Sequence, residues 1–192
     1  MDVKHDEETI LWRRLDRPGF EAARVERRGT EWRLSGTALF LEEGAPCRLR
    51  YEVVCDEHWR SRRARVDGWL GERSFDVELS TDPGGWRVNG TPVAGLGDCP
   101  DIDFAFSPAT NLLPIRRTHL AVGQEAVARA AWLRFPDLAL EPLEQTYRRT
   151  APGTFVYGTK DGFATELTID DAGFVTLYPE RWRRETGDPA AD

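Results

Sequence analysis

The sequence predicts a mainly β protein, built as a largely antiparallel meander of short strands. Apolar and polar residues alternate with a period of two along much of the chain, for example over 47–55, 74–79 and 163–169. This alternation places every second side chain on the buried face of a strand. Turn-forming runs separate these segments at short intervals, among them "EEGAP", "DPGG", "VNGTP", "KDG" and "DDAG". Closely spaced turn signals of this kind are typical of all-β folds.

The length of the chain suits one domain. A domain of 192 residues buries roughly 70% of the surface of its unfolded chain. No linker-like run divides the sequence, so we expect a single domain over 1–192 with its core at about 9–184. The two ends, 1–8 and 185–192, are acidic and short of apolar residues. We therefore expect both tails to be flexible.

The charge balance and the cysteine content narrow the class of protein. A formal net charge of −7 argues against a nucleic-acid partner, because nucleic-acid binding needs a basic footprint. No apolar run approaches the roughly 20 residues that cross a bilayer, and the N-terminus lacks the pattern of a signal peptide. Three cysteines, an odd and sparse set, do not suit a disulfide framework. These features predict a cytoplasmic protein without a membrane span.

The first strands follow directly from the alternation. In 47–55 the apolar positions include Cys47 and Cys55, so we expect both thiols on the buried face of one strand. The next segment, 58–70, presents a charged side that includes Arg63 and Arg65. We expect that side to be solvated, because an arginine that points inward needs a partner.

Two segments depart from simple alternation. Residues 122–136 are rich in helix formers, and the residues alone leave helix and strand equally open. Further upstream, Ser107 can cap a helix, Pro108 suits its first position and "ATNLL" continues it. Pro114 would limit that helix or kink it. We therefore expect a helix of two or three turns directly after the strand "DIDFAF".

Asp101 and Asp103 are the first candidates for chemistry. Two residues apart on a strand, they project from the same face. Such a pair can hold Mg²⁺ or Mn²⁺, or supply the two carboxylates of glycoside hydrolysis. The chain has no Gly-rich nucleotide loop, and we favour the interpretation that the carboxylates pair with Arg116 or Arg117. We predict no metal site and no cofactor.

Other reactive arrangements are weaker. Ser107 at the helix start, or the arginines Arg116 and Arg117 at its end, can hold a phosphate or carboxylate, but these are also ordinary capping residues. Cys99 paired with His119 would make a nucleophile. Neither G-x-S-x-G nor H-E-x-x-H occurs in the chain. On residue chemistry we predict no catalytic residue and favour a protein that is not an enzyme.

The aromatic residues suggest a second use besides the core. Seven tryptophans are spread from Trp12 to Trp182. Large aromatic side chains in strands usually fill a core. A sheet curled around a channel lined by Trp, Tyr and Arg also holds amphipathic ligands such as lipids and glycans.

The central stretch resembles the signature of a known family. Residues 106–117, "FSPATNLLPIRR", look like the signature of the bacterial glycolipid-binding family, formerly a domain of unknown function. Supporting segments occur in family order: "WRLSGTALF", "LRYEVVCDEHWRSRRARV", "WRVNG", "AAWLRFP", "EQTYRR" and "DAGFVTLYPERWRR". The resemblance spans about residues 9–184.

The resemblance implies a spiral β-roll, in which one long curved sheet of about fifteen strands wraps around a single helix. That helix would begin at Ser107, and 122–136 would be a strand. The family's shape is similar to that of periplasmic lipoprotein carriers, and its ligand class is inferred from that likeness. The positions that match the family motif are Asp101, Phe106, Pro108, Thr110, Asn111, Pro114, Ile115, Arg116 and Arg117.

The leading expectation for function is a non-enzymatic protein that binds a glycolipid or another lipid-like ligand against the concave sheet. One alternative is a hydrolase or transferase that acts on a sugar or lipid conjugate through Asp101 and Asp103. The other is an interaction protein, and a homodimer is expected because the edge strands of an open roll need covering. The candidate ligand-binding or signature residues are Asp101, Asp103, Thr110, Asn111, Arg116 and Arg117.

Overall fold

The computed structural model describes residues 7–186, and within them it shows one curled β-sheet and one short α-helix. The first eight strands are β1 (Glu7–Arg14), β2 (Gly19–Arg28), β3 (Glu31–Glu42), β4 (Ala45–Cys55), β5 (Ser61–Leu70), β6 (Arg73–Asp82), β7 (Gly85–Val88) and β8 (Thr91–Pro92). The others are β9 (Asp101–Phe104), β10 (Glu125–Leu133), β11 (Leu140–Ala151), β12 (Thr154–Thr159), β13 (Ala164–Ile169), β14 (Val175–Tyr178) and β15 (Trp182–Arg184). A 3₁₀ turn (Ala109–Asn111) leads into the helix α1 (Leu112–Thr118).

The predicted flexible tails lie mostly outside the described residues, which exclude 1–6 and 187–192. At the N-terminal end the expected boundary is two residues too late, because Glu7 and Glu8 already belong to β1. Glu7 stands opposite Glu26 of β2, and its carboxylate pairs with Arg24 at 2.6 Å. Pairing with β2 and this ion pair hold Glu7 and Glu8 in the sheet, although the composition of this stretch is typical of a flexible tail.

The sheet contains all fifteen strands in the order β8-β7-β6-β5-β4-β3-β2-β1-β15-β14-β13-β12-β11-β10-β9. Neighbouring strands are antiparallel except β9 and β10, which are parallel. The first and last strands of the chain, β1 and β15, pair in the middle of the sheet. The expected fold class is confirmed: the protein is mainly β, and its open, curled sheet is consistent with a β-roll.

The curl brings one end of the sheet back against an earlier strand. Ser61, at the start of β5, donates its N–H to Pro100 O at 2.9 Å, and its Oγ accepts the N–H of Ile102 at 3.1 Å. The edge strand β9 is thereby covered by the protein itself. The opposite edge, β8, is two residues long and contains Pro92, which lacks an N–H. Uncovered edges, the reason for expecting a homodimer, are therefore not a feature of this roll.

The helical segment fills the interior of the roll. Leu112 and Leu113 are fully buried, and Ile115 is 9% exposed. The Ser107 hydroxyl accepts the N–H of Ala109 at 3.1 Å, but the helical residues begin later than expected, because Pro108 is the N-cap of the 3₁₀ turn and α1 starts only at Leu112. The expectation that Pro114 limits the helix is wrong, since α1 runs on to Thr118. The 3₁₀ turn places Pro114 in the first turn of α1, where an N–H has no helical partner to lose.

Residues 125–133 form strand β10, as the resemblance implied and helix propensity did not. The strand lies between β9 and β11, and side chains on both of its faces are buried, including Ala128, Ala130 and Ala131. A strand covered on both faces shows no alternation. Tertiary pairing therefore decides the structure of this segment against its local propensity.

Strands β4 and β5 follow the predicted alternation over most of their length. Cys47 and Cys55 lie on the buried face of β4 and are free thiols. Arg63 and Arg65 lie on the exposed face of β5, where they pair with Glu31 at 3.4 Å and with Asp76 at 2.9 Å. Both expectations for these strands are confirmed.

Candidate functional site

Asp101 is tied to Arg117 and is not available for chemistry. The aspartate is 1% exposed and accepts two hydrogen bonds from Arg117, at 2.8 Å from Nε and 2.6 Å from Nη2. The carboxylate raises the pKa of Arg117. This is the carboxylate–arginine pairing that the sequence favoured. A hydrolase that uses Asp101 and Asp103 together would lack one of its two free carboxylates.

Asp103 takes part in a separate network at the start of the helical segment. Its Oδ1 accepts a hydrogen bond from the Thr110 hydroxyl at 2.6 Å, and its Oδ2 accepts one from Gln145 Nε2 at 2.8 Å. Thr110 Oγ1 in turn accepts the N–H of Phe104 at 3.2 Å. Burial raises the pKa of Asp103. Thr110 thus acts as a support that orients the Asp103 carboxyl group.

Asn111 and Arg116 anchor the two ends of the helical segment. The Tyr147 hydroxyl donates to Asn111 Oδ1 at 2.9 Å, and Asn111 Nδ2 donates to Pro108 O at 3.1 Å. Arg116 donates from Nε to Ala172 O at 2.7 Å, and its guanidinium lies 5.5 Å from the centre of the Trp59 ring. The six predicted residues therefore do not form one site.

Asp103 and Asn111 do meet in a cleft of 290 Å³ between the strand-to-helix segment and the second half of the sheet. We call it the aromatic cleft, because six of the residues that line it are aromatic. They are Phe104, Trp132, Tyr157, Phe163, Tyr178 and Trp182. Polar groups on the wall include Ser107, Thr159, Asp161 and Arg181.

Three of the rings project from the second half of the sheet, namely Tyr157 on β12, Tyr178 on β14 and Trp182 on β15. The Tyr157 and Tyr178 rings are 6.1 Å apart, and the Tyr178 and Trp182 rings are 5.5 Å apart. Phe163 closes the wall at 6.2 Å from Tyr157. Gln145 Nε2 also donates to Tyr157 Oη at 3.1 Å, which joins the aromatic wall to the Asp103 network.

Sequence reasoning missed Glu21, a fully buried carboxyl group beside the cleft. Its Oε1 accepts hydrogen bonds from the Tyr51 hydroxyl, at 2.6 Å, and from the Ser107 hydroxyl, while its Oε2 has no partner among residues 7–186. Burial raises the pKa of Glu21 to about 7, although Ser107, Tyr51 and Arg14 oppose the shift. A signal was present: over 20–25 the alternation places Glu21 on the same face as the apolar residues.

Two other concave surfaces are weaker candidates. A groove of 770 Å³ lies on the outer face of β1–β5, but its arginines are already paired with carboxylates, as in Arg50 with Asp67 at 3.0 Å. A cleft of 210 Å³ near the end of α1 contains Arg116 and Arg149 together with Asp170. The smaller cleft has one aromatic residue, Phe155, beside Arg149, so neither surface has the several rings that line the aromatic cleft.

Cys99 is not an activated nucleophile. Burial, with a smaller contribution from Asp101, raises the pKa of the Cys99 thiol to about 11, so little thiolate exists at neutral pH. His119 follows the last turn of α1 as an exposed residue. Within residues 7–186, no group of three or more His, Cys, Asp or Glu side chains is placed to hold a metal ion, and no helix is long and apolar enough to span a membrane.

Comparison with known proteins agrees with this fold. Residues 9–184 match the profile of the family described as "Putative glycolipid-binding". A crystal structure of a DUF1089 family protein from Pseudomonas aeruginosa superposes with a TM-score of 0.77 at 29% sequence identity, covering 87% of this chain and 92% of that one. No curated protein matches the sequence. Since the profile covers all but the ends of the sequence, the chain belongs to the family described as "Putative glycolipid-binding".

Proposed function

We propose that this protein binds a glycolipid or a similar amphipathic molecule and holds its headgroup in the aromatic cleft. The family to which the chain belongs carries glycolipid binding in its description, which supports the ligand class but not a particular ligand. The position of the ligand is a proposal from the geometry of this chain.

The observation that carries the proposal is the combination of six aromatic residues and several polar groups in one cleft. Ligand sites are typically apolar concavities with a few polar groups that fix orientation. A sugar ring has apolar C–H faces and a rim of hydroxyl groups, so it needs both kinds of wall. Asp103 and Asn111 supply polar atoms on one side, and Tyr157 and Trp182 supply ring surface on the other.

The size of the cleft limits what it holds. Its 290 Å³ falls at the lower end of the range of small-molecule sites, about 300 to 1,000 Å³. Leu112 and Leu113 fill the interior of the roll, so an acyl chain has no room inside it. Two exposed side chains flank the cleft instead: Phe163, and Leu15, whose N–H donates to Arg181 O at 2.8 Å. We place the headgroup in the cleft and the apolar chain over this rim.

Binding of alkyl glycosides tests the proposal. We expect octyl β-D-glucoside to raise the melting temperature of the protein more than glucose or octanol does, because only the glycoside engages both cleft and rim. Trp132→Ala and Phe163→Ala should each weaken binding roughly tenfold, since each removes ring surface from the cleft. Trp69→Ala is the matched control, because Trp69 is an exposed aromatic residue on the outer face of β5.

Native mass spectrometry of protein purified without detergent supplies an independent measurement. A co-purifying lipid or glycolipid that is lost in the Trp132→Ala variant supports the proposal. Repeated recovery of ligand-free protein, together with no stabilisation by any alkyl glycoside, would contradict it.

A further inference from the structure

Arg181 is an arginine whose charge no carboxylate of the described chain matches. Most arginines between residues 7 and 186 form ion pairs, but Arg181 forms none there. Its guanidinium instead lies 5.3 Å from the centre of the Phe163 ring and 5.7 Å from that of the Tyr178 ring. Both rings line the aromatic cleft. Ring faces attract a cation without neutralising its charge, so the guanidinium keeps its capacity to bind an anion.

Trp182, the next residue, also lines the cleft and has an unmatched donor of its own. The side chain is 4% exposed, and its indole N–H has no acceptor among the described residues. Buried N–H groups in proteins are almost always hydrogen-bonded. Two other buried tryptophans follow that rule: Trp12 donates to Val175 O at 2.6 Å, and Trp86 donates to Cys99 O at 2.9 Å. Trp182 is therefore the exception, and it lines the cleft.

The opposite wall offers acceptors. Asp103 receives one hydrogen bond on each oxygen, from Thr110 and Gln145, and a carboxylate can accept about four in all. It can therefore accept further bonds from ligand hydroxyl groups. A second carboxylate of the cleft, Asp161, lies on the turn before Phe163, and its Oδ1 already accepts from the Thr159 hydroxyl and the Phe163 N–H.

We infer that the aromatic cleft selects an acidic sugar headgroup, whose oxyanion binds the Arg181 guanidinium and the Trp182 indole N–H while its hydroxyl groups face Asp103. The inference rests on the proposed function, because it names the chemistry of the headgroup in the same cleft. A charged oxygen is the acceptor that two unmatched donors require, and charge-assisted hydrogen bonds are the strongest available to them. Arg181 and Trp182 are thus the residues that determine specificity.

Two probes that differ in one group test the inference by isothermal titration calorimetry. Octyl β-D-glucuronide and octyl β-D-glucoside share chain and ring, and only the first carries a carboxylate at C6. We expect the wild-type protein to bind the glucuronide about tenfold more tightly. Arg181→Gln should remove this preference, because it should lower the affinity for the glucuronide far more than the affinity for the glucoside. Arg184→Gln is the matched control, because Arg184 pairs with Asp170 and does not line the cleft.

Two further variants keep the test independent of folding. Trp182→Phe retains a ring but removes the N–H, so it should reduce the preference for the glucuronide without abolishing binding of the glucoside. Asp161→Asn removes a negative charge from the cleft wall and should tighten binding of the glucuronide alone. Free glucuronate and glucose 6-phosphate serve as probes without an alkyl chain. Comparison with the octyl glycosides distinguishes a lipid-linked headgroup from a free acidic sugar, and comparison of the two free acids distinguishes a carboxylate from a phosphate.

The outcomes separate the inference from the proposed function. Equal affinity for the two alkyl glycosides would overturn the inference and leave the proposed function standing. Tight binding of the chain-free acids, with no gain from the octyl chain, would support the acidic subsite and contradict a lipid-like ligand. Absence of binding by all four probes would contradict both.

Discussion

Glu21 shows how one residue links three parts of the fold. Its carboxyl group, on β2, accepts hydrogen bonds from Tyr51 on β4 and from Ser107 at the start of the helical segment. The residue is 1% exposed, and one of its oxygens has no partner in the described part of the chain. Ionising a carboxyl group in this buried setting costs free energy, so the folded protein is more stable while Glu21 is protonated.

The first prediction concerns the pH dependence of stability. The pKa of Glu21 is about 7 in the folded protein against 4.5 as reference, so between these values the folded state holds a proton that the unfolded state has lost. Its stabilising contribution is complete below about pH 4.5 and is lost as pH rises through 7, a decline on the order of 3 kcal/mol. Glu21→Gln, which stays neutral, should flatten this decline. Urea unfolding at pH 5 and pH 8 measures the decline in the free energy of unfolding. An equal decline in the wild-type protein and in Glu21→Gln would contradict the prediction.

The second prediction separates the two adjacent arginines. Arg117→Ala leaves Asp101 buried without its partner and should lower the free energy of unfolding by about 3 kcal/mol. Arg116→Ala should cost less, because Arg116 pairs with a backbone carbonyl oxygen and a ring rather than with a carboxylate. The double variant Asp101→Asn with Arg117→Met should recover part of the loss. Chemical denaturation of the three variants provides the comparison, and equal costs for the two single substitutions would argue against the Asp101 pairing.

At the scale of elements, a glycine in strand β3 allows a side chain of β4 to contact a side chain of β2 across it. Tyr51 on β4 stands directly opposite Gly36 of β3 and reaches past it to Glu21 on β2. A Cβ at position 36 would lie 2.3 Å from the Tyr51 hydroxyl oxygen. The Tyr51 side chain therefore occupies the space that a side chain at position 36 would fill.

The third prediction follows from this contact. Gly36→Ala should displace the Tyr51 ring, lengthen its hydrogen bond to Glu21 and destabilise the protein by roughly 1 to 3 kcal/mol. Gly97→Ala is the matched control, since a Cβ there meets nothing within 4 Å, and it should change stability by less than about 0.5 kcal/mol. Thermal unfolding measures both. A Gly36→Ala variant as stable as the Gly97→Ala variant would show that Tyr51 can move aside freely.

Strands with one solvated face were predictable from the sequence, and doubly covered segments were not. Alternation located β4 and β5 because each has an exposed side. It could not locate β10, whose two faces are both buried, nor show that Pro114 falls in a first helical turn after a 3₁₀ turn. The family resemblance predicted strand β10, and only the structure shows its register with β9 and β11.

The aromatic cleft was predictable only in part, because its residues come from distant parts of the chain. Asp103 and Asn111 were named from their local motif. Arg181 and Trp182 lie more than sixty residues away, in the segment "DAGFVTLYPERWRR", which supported the resemblance but did not indicate a ligand-binding residue. Composition suggested that Trp, Tyr and Arg line a ligand site, but not which of them do. Pairing of β15 with β1 and β14 is what brings the last residues to the cleft.

At the scale of the whole molecule, both edge strands of the sheet are protected by features of the fold itself. The contact of β9 with Ser61 and the brevity of β8 remove the physical argument for a dimer based on uncovered strands. The homodimer, the single-domain organisation and the cytoplasmic location stay predictions. Multi-angle light scattering at several protein concentrations decides the first of these.

The order of strands in the sheet has a consequence for how the chain folds. The one pairing that joins distant residues along the sheet is that of β1 with β15, and the loop over 93–100 connects the two outermost strands. A circular permutant that links residue 186 to residue 7 and opens between Ala94 and Gly95 would make every pair of neighbouring strands consecutive in sequence. Such a permutant has a lower contact order, so we expect it to refold faster than the natural chain in stopped-flow experiments. An unchanged refolding rate would mean that closure of β1 onto β15 is not part of the rate-limiting step.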